Sequence, residues 1–191
     1  YNGITVSQDA EGNFAITKGG NHIADIPGKI DYKTVYQIGS RLHEPYVPPL
    51  FGVTCLGPSH GFDPHENTSG FIVWLNHSGI MIDPPVNTTE WLEDSNVNPK
   101  CIDSIILTHC HADHDAGTFQ KILEEGKVTI YTTDTVMSSF LTKYSAFANI
   151  DASYLRRLFD FKPVKVGQPF FIHGGRFDIF YTLHSIPAIG F

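Results

Sequence analysis

The sequence predicts an α+β domain, a mixed β-sheet with helices on at least one face. Three observations lead there. Strand-length apolar runs open and close the chain, and strand and helix patterns alternate between them, an order that suits a mixed sheet with covering helices. The apolar fraction of 41% and aromatic fraction of 13% supply material for a core. A chain of 191 residues buries roughly 70% of its unfolded surface. Every apolar run is shorter than the ~18–20 residues of a membrane-spanning helix, so no membrane partner is expected.

The elements follow in order. Residues 4–26 alternate apolar and polar side chains around Ala10-Glu11-Gly12-Asn13, which predicts a hairpin. Pro48 and Pro49 interrupt the pattern, so residues 1–48 are expected to form a β-rich extension or interdomain segment and residues 49–191 the main domain. Residues 51–56 read as a buried strand, followed by a loop rich in Gly, Pro and His over 57–69. Strands over 71–75 and 80–82 flank Asn76-His77-Ser78-Gly79, a hairpin signal. Asn87, with Glu90 three residues on, predicts the N-cap of a short helix over Thr88–Asp94.

Residues 102–107 form an apolar strand broken only by Asp103 and Ser104. Asp115 is the expected cap of the next helix, in which Phe119, Ile122 and Leu123 share one face and Gly126 is the stop. A strand over 128–131, helices over 135–147 and 152–159, and strands over 161–166, 169–173 and 176–183 complete the chain.

The formal net charge of −7, from 13 basic and 20 acidic residues, works against a polyanionic partner such as nucleic acid. Cys55, Cys101 and Cys110 are odd in number and lack C-x-x-C spacing, which argues against a disulfide framework. With no signal peptide in view, a cytoplasmic location is expected. The chain opens at Tyr1 without an initiator Met and reads as part of a longer protein.

The chemistry concentrates in Thr108-His109-Cys110-His111-Ala112-Asp113-His114-Asp115-Ala116-Gly117, at the junction of a buried strand and a helix. Side chains two apart on extended backbone point the same way, so His109 and His111 can grip one ion. The turn into the helix redirects Asp113 and His114 to a second position. Such a spacing suits two divalent metal ions, and nitrogen with carboxylate donors favours zinc, with manganese and iron as alternatives. Cys110 lies between two ligands and projects away from both, as a small packing residue. His60 and His65 precede Asn67 in a loop and are more readily surface residues than site residues, while His22, His43 and His173 have no evident partner.

This segment resembles the metallo-β-lactamase superfamily, whose hallmark His-x-His-x-Asp-His follows a buried strand. The resemblance implies an αβ/βα sandwich, of which residues 49–191 would hold mainly the N-terminal half. It further implies that Asp83, at the end of Ile80-Met81-Ile82-Asp83-Pro84, supports the metal loop, and that His184 is the third histidine of the first ion. His184-Ser185-Ile186-Pro187-Ala188-Ile189-Gly190-Phe191 and Asn67-Thr68-Ser69 are similar to motifs of the RNase Z and cyclic-nucleotide phosphodiesterase-like branch. Ala112 departs from the Gly usual there, and the family's bridging Asp and last His would lie beyond Phe191.

The function implied is hydrolysis of a small phosphodiester, such as a cyclic nucleotide, by metal-activated water. Asp113 is then the catalytic carboxylate as well as a ligand. A thioester, lactone or β-lactam hydrolase of the same superfamily, or a non-catalytic regulatory module on this fold, are the alternatives.

Overall fold

Strict alternation of side chains along four central strands decides which layer each face covers. The computed structural model describes residues 2–29, 43–63 and 65–191, in two units, Tyr1–Val35 and Tyr36–Phe191. The first unit is a three-stranded antiparallel meander, β1 (Ile4–Gln8), β2 (Phe14–Lys18) and β3 (Asn21–Ile26). The expected hairpin thus gains a third strand. Its first turn is set by Asp9, whose carboxylate accepts from the backbone N–H groups of Glu11 and Asn13, both at 2.9 Å.

The second unit is built on a six-stranded sheet. Its strands are β4 (Phe51–Gly57), β5 (Gly70–Leu75), β6 (Ser78–Ile82), β7 (Ile102–Ile106), β8 (Thr129–Thr132) and β9 (Asp160–Pro163), lying side by side in that order. β4, β5 and β6 pair antiparallel, and β6 through β9 pair parallel. Parallel neighbours need crossovers, and these carry α1 (Thr88–Asp94), α2 (Ala112–Glu125), α3 (Asp134–Ala148) and α4 (Ala152–Leu155).

On one face Met81, Ile105 and Ile130 pack with Leu92, Ile122, Met137, Phe140 and Leu155 of the helices. On the other, Ile80, Ile82 and Ile106 pack with Ile172 and Phe177 of a hairpin, β10 (Phe170–Ile172) and β11 (Gly175–Phe177). Residues adjacent in β6 and in β7 therefore serve opposite layers, as period-two geometry requires. Among the described residues, no helix is long and apolar enough to cross a membrane.

Several expectations change. β4 is a sheet edge whose outer face leaves Phe51 73% and Val53 62% exposed, so its apolar run is not a buried strand. α1 has the expected span, yet Asn87 sits in the left-handed region (φ 60°) and its side chain makes no capping bond among the described residues. Gln120 takes that residue instead, accepting from its N–H at 2.8 Å. Asp115 does not cap α2, which begins at Ala112 with His111 in the cap position; Asp115 is fully buried in the first turn. Leu123 turns out to solvent while Ile122 enters the core.

Helix α4 covers four residues of the expected 152–159. The expected strand over 176–183 divides after Phe177, because β12 (Phe180–Tyr181) leaves to pair with β13 (Ile189–Gly190). That pairing presents residues 182–188, His184 among them, as a loop.

Gly117 locks α2 against the chain that leaves β6. A Cβ there would lie 2.0 Å from the Pro84 carbonyl oxygen and 2.3 Å from that of Pro85. In an exposed helix Gly→Ala would stabilise by about 1 kcal/mol; here the obstructing atoms are backbone. Gly117→Ala should therefore lower the free energy of unfolding by about 1–3 kcal/mol, as overpacking does, read by urea denaturation. A more stable variant would contradict the close approach.

Candidate metal centre

The candidate ligands gather beyond the C-terminal ends of β6 and β7, the usual position for a site in a parallel sheet. Asp83 follows β6 and Thr108 follows β7, and the two meet there. Asp83 Oδ1 accepts from the Thr108 N–H at 2.8 Å, and Asp83 Oδ2 accepts from the Thr108 hydroxyl. Asp83 adopts a left-handed conformation (φ 44°), which Asp tolerates better than most residues. Its own N–H donates to Ile106 O at 3.3 Å, extending the β6–β7 pairing.

This contact fixes the chemistry of His109. The Thr108 hydroxyl has a single proton and gives it to Asp83, so toward His109 Nδ1, 2.8 Å away, it can only accept. His109 then carries its proton on Nδ1 and a lone pair on Nε2. That Nε2 is buried and has no hydrogen-bond partner among the described residues, which is costly unless a ligand takes it up.

The other histidines surround this ring. The His109 centroid lies 4.9 Å from that of His111, 4.6 Å from that of His184 and 4.4 Å from that of His114. His184 Nε2 is 3.0 Å from His111 Nδ1, a separation that a shared cation satisfies as well as a shared proton. Ligand atoms of His109, His111 and His184 all fall within 4.8 Å of one another, and so do those of Asp83, His109 and His114. β12 and β13 deliver His184, and the Ile189 N–H donates to Thr108 O at 3.1 Å, tying that hairpin to the ligand loop.

Asp113 and His114 occupy the first turn of α2, where the helix dipole favours a carboxylate. Asp113 Oδ2 lies 3.5 Å from His114 Nε2 and accepts from the Gly61 N–H at 3.1 Å. On its other side His114 Nδ1 is 3.5 Å from Asp83 Oδ2. The Asp83 carboxylate beside it raises the His114 pKa above its ordinary value, against the effect of burial. His109 goes the other way: burial, then the neighbouring His114, lower its pKa to about 4.

The comparisons with known proteins add the family. Residues 51–189 match the family model described as anti-Pycsar protein Apyc1, which is more than half of the chain. The chain belongs to that family. It is 49% identical over 171 residues to the cGMP-dependent 3′,5′-cGMP phosphodiesterase A of Dictyostelium discoideum, covering 88% of this chain and 20% of the relative. It is 41% identical over 176 residues to the cAMP/cGMP-dependent 3′,5′-cAMP/cGMP phosphodiesterase B of the same organism, covering 83% and 16%.

Among solved structures, the metallo-β-lactamase fold protein YhfI of Bacillus subtilis superimposes with a TM-score of 0.55 at 21% identity, over 72% of this chain and 54% of that one. A diphosphatase of the PhnP family does so with 0.52 at 17% identity, over 72% and 60%. These likenesses give this Apyc1 family member the metallo-β-lactamase fold. The chain spans a fifth or less of the curated relatives it matches.

Within the family frame, the fold brings His109, His111, His114 and His184 together, with Asp83 and Asp113 at the margin. Cys110 points elsewhere: its thiol donates to Val136 O at 3.3 Å, and burial pushes its pKa up to about 12. His60 accepts from the Phe62 N–H in the loop whose Gly61 touches Asp113. His22 and His173 pair with Asp25 and Asp103. Two contributors escape a reading of the sequence for ligand types. Thr108 has no metal-ligating chemistry, and only its place before the first His hints at a role. Gly61 acts through its backbone, and a Cβ there would meet Asp113 Cβ at 2.6 Å.

The His109 environment has a spectroscopic consequence. In the metal-free protein at pH 7, long-range 1H–15N spectra should show His109 as the Nδ1–H tautomer, with no titration until about pH 4. An unfolded histidine titrates near 6.5, so acid favours the unfolded chain. Stability tied to neutral His109 is complete above pH 6.5 and is lost as pH falls toward 4. An Nε2–H tautomer would contradict the relay through Thr108, and a His109 that titrates near 6.5 would contradict its burial beside His114.

Proposed function

We propose that the full-length protein is a metal-dependent hydrolase of a small phosphodiester, a 3′,5′-cyclic nucleotide being the substrate class that the relatives' names favour. The observation that carries the metal reading is the buried Nε2 of His109, without a hydrogen-bond partner among the described residues and set among three further imidazoles. His109, His111 and His184 would hold one divalent ion, and Asp113 with His114 would contribute to a second. Nitrogen-rich donors favour zinc, with manganese or iron able to substitute. Ions in these positions supply Lewis-acid activation of water and of the phosphoryl oxygens.

The protein's own groups do the rest. Asp83 holds Thr108, and Thr108 fixes the His109 tautomer, so a lone pair is ready without a reorientation cost. Neutral His109 resists protonation across the physiological range, which keeps a proton from competing with an ion there. The Gly61 N–H donates to Asp113 Oδ2, the oxygen that also faces His114 Nε2, and so holds this carboxylate where it would share an ion with His114. Burial of Asp83 and His109 strengthens the contacts among Asp83, Thr108 and His109. Cys55, Cys101 and Cys110 are all free thiols, and we place the protein in a reducing compartment, the cytoplasm.

The purified full-length protein should hydrolyse cAMP or cGMP, lose that activity to a chelator and regain it with zinc or manganese. Asp83→Ala should weaken metal binding or activity by about 10- to 100-fold, the usual cost of removing an outer support. Turnover of thioesters or lactones with none of any phosphodiester would contradict the substrate class, and full activity after chelation would contradict the metal.

A further inference from the structure

We infer that Lys143 of α3 is a positioning residue for this centre, holding the ligand segment by its backbone from beneath. The inference rests on the metal reading above. Between His109 and His111 the chain leaves the sheet, so its polar groups need partners from elsewhere. Leu107 O accepts from the Thr132 hydroxyl at 2.7 Å, Thr108 O from the Ile189 N–H at 3.1 Å, and His111 O from the N–H groups of His114 and Asp115, each at 3.0 Å. The Cys110 carbonyl lies between two ligand residues, and its donor is the Lys143 ammonium at 3.0 Å.

The same ammonium is ion-paired with Asp115, the residue after His114. One cation therefore binds both arms of the segment, the His109–His111 arm at Cys110 O and the Asp113–His114 arm at Asp115. Asp115 is completely buried, and the Tyr144 hydroxyl donates to its Oδ1 at 2.6 Å. Tyr144 is itself buried and stacks on Phe119 of α2 with centroids 4.3 Å apart. The cluster is thus rigid on the α3 side, and a displacement of Lys143 passes directly to the loop that spaces the histidines. A buried carboxylate of this kind requires its cation, but charge balance alone would not require the ammonium to reach the Cys110 carbonyl.

The test uses the full-length protein loaded with cobalt(II), with the metal dissociation constant and visible spectrum as readouts. Lys143→Met alone leaves Asp115 buried and unpaired, so it can fail to fold. The triple variant Asp115→Leu, Lys143→Met and Tyr144→Phe removes that cost and leaves no buried hydroxyl without its acceptor, since apolar replacement of a whole ion-paired and hydrogen-bonded cluster is often neutral for stability. It should unfold at close to the wild-type temperature yet bind cobalt about 10- to 100-fold more weakly, with a shifted spectrum. Tyr144→Phe, which keeps the Lys143–Cys110 contact, should bind cobalt within about threefold of wild type. Wild-type affinity and spectrum in the triple variant would overturn the inference, as would an equal loss in Tyr144→Phe alone. A wild-type protein that binds no metal would overturn the metal reading itself.

Discussion

The arrangement of the centre depends on a single carboxylate that spans two parallel strands. Asp83 ends β6 and receives both the N–H and the hydroxyl of Thr108 at the end of β7. Charge-assisted bonds of this type are roughly twice as strong as neutral ones, and their geometry leaves the Thr108 hydroxyl nothing further to donate. The His109 tautomer follows. With its Nδ1–H committed to Thr108, His109 presents Nε2, and the surrounding imidazoles lie within 4.9 Å of its centroid. Asp83 also faces His114 Nδ1. One side chain thus orders residues on the strand end and on the first turn of the helix.

The fold makes that carboxylate available. Parallel pairing of β6 with β7 puts the two strand ends side by side, which an antiparallel connection would not do. The crossover through α1 returns the chain in the same direction, and Pro84 and Pro85 steer it away from the sheet. Gly117 lets α2 rest directly on those two carbonyls, so the helix that carries Asp113 and His114 is placed by contact with the residues after Asp83. Two packed layers stabilise the strand ends from either side, with Ile105 toward the helices and Ile106 toward the β10–β11 hairpin.

Much of this was legible in the sequence, and the limits have physical causes. His109, His111, Asp113 and His114 fall within six residues, so spacing alone brings them near one another. His184 lies 73 residues from the His111 it touches, and Asp83 lies 25 from Thr108; both were nameable only through the likeness to metallo-β-lactamases. Lys143 and Gly61 reach the ligand segment from 33 and 52 residues away through backbone atoms, which residue type does not signal. Asp115 has the residue type of a helix cap, but it lies buried in the first turn with the Lys143 ammonium and the Tyr144 hydroxyl beside it. β4 looks like an interior strand because its side chains are apolar, and periodicity does not say which strand lies at the sheet edge.

Family membership gives the chain its fold and a set of relatives, while the chemistry rests on where the imidazoles converge. The most direct measurement is an anomalous difference map from crystals of the full-length protein grown with zinc and collected across the zinc edge. The account predicts one peak bounded by His109, His111 and His184 and a second beside Asp113 and His114. Zinc-grown crystals with no peak within coordination distance of His109 Nε2 would contradict it.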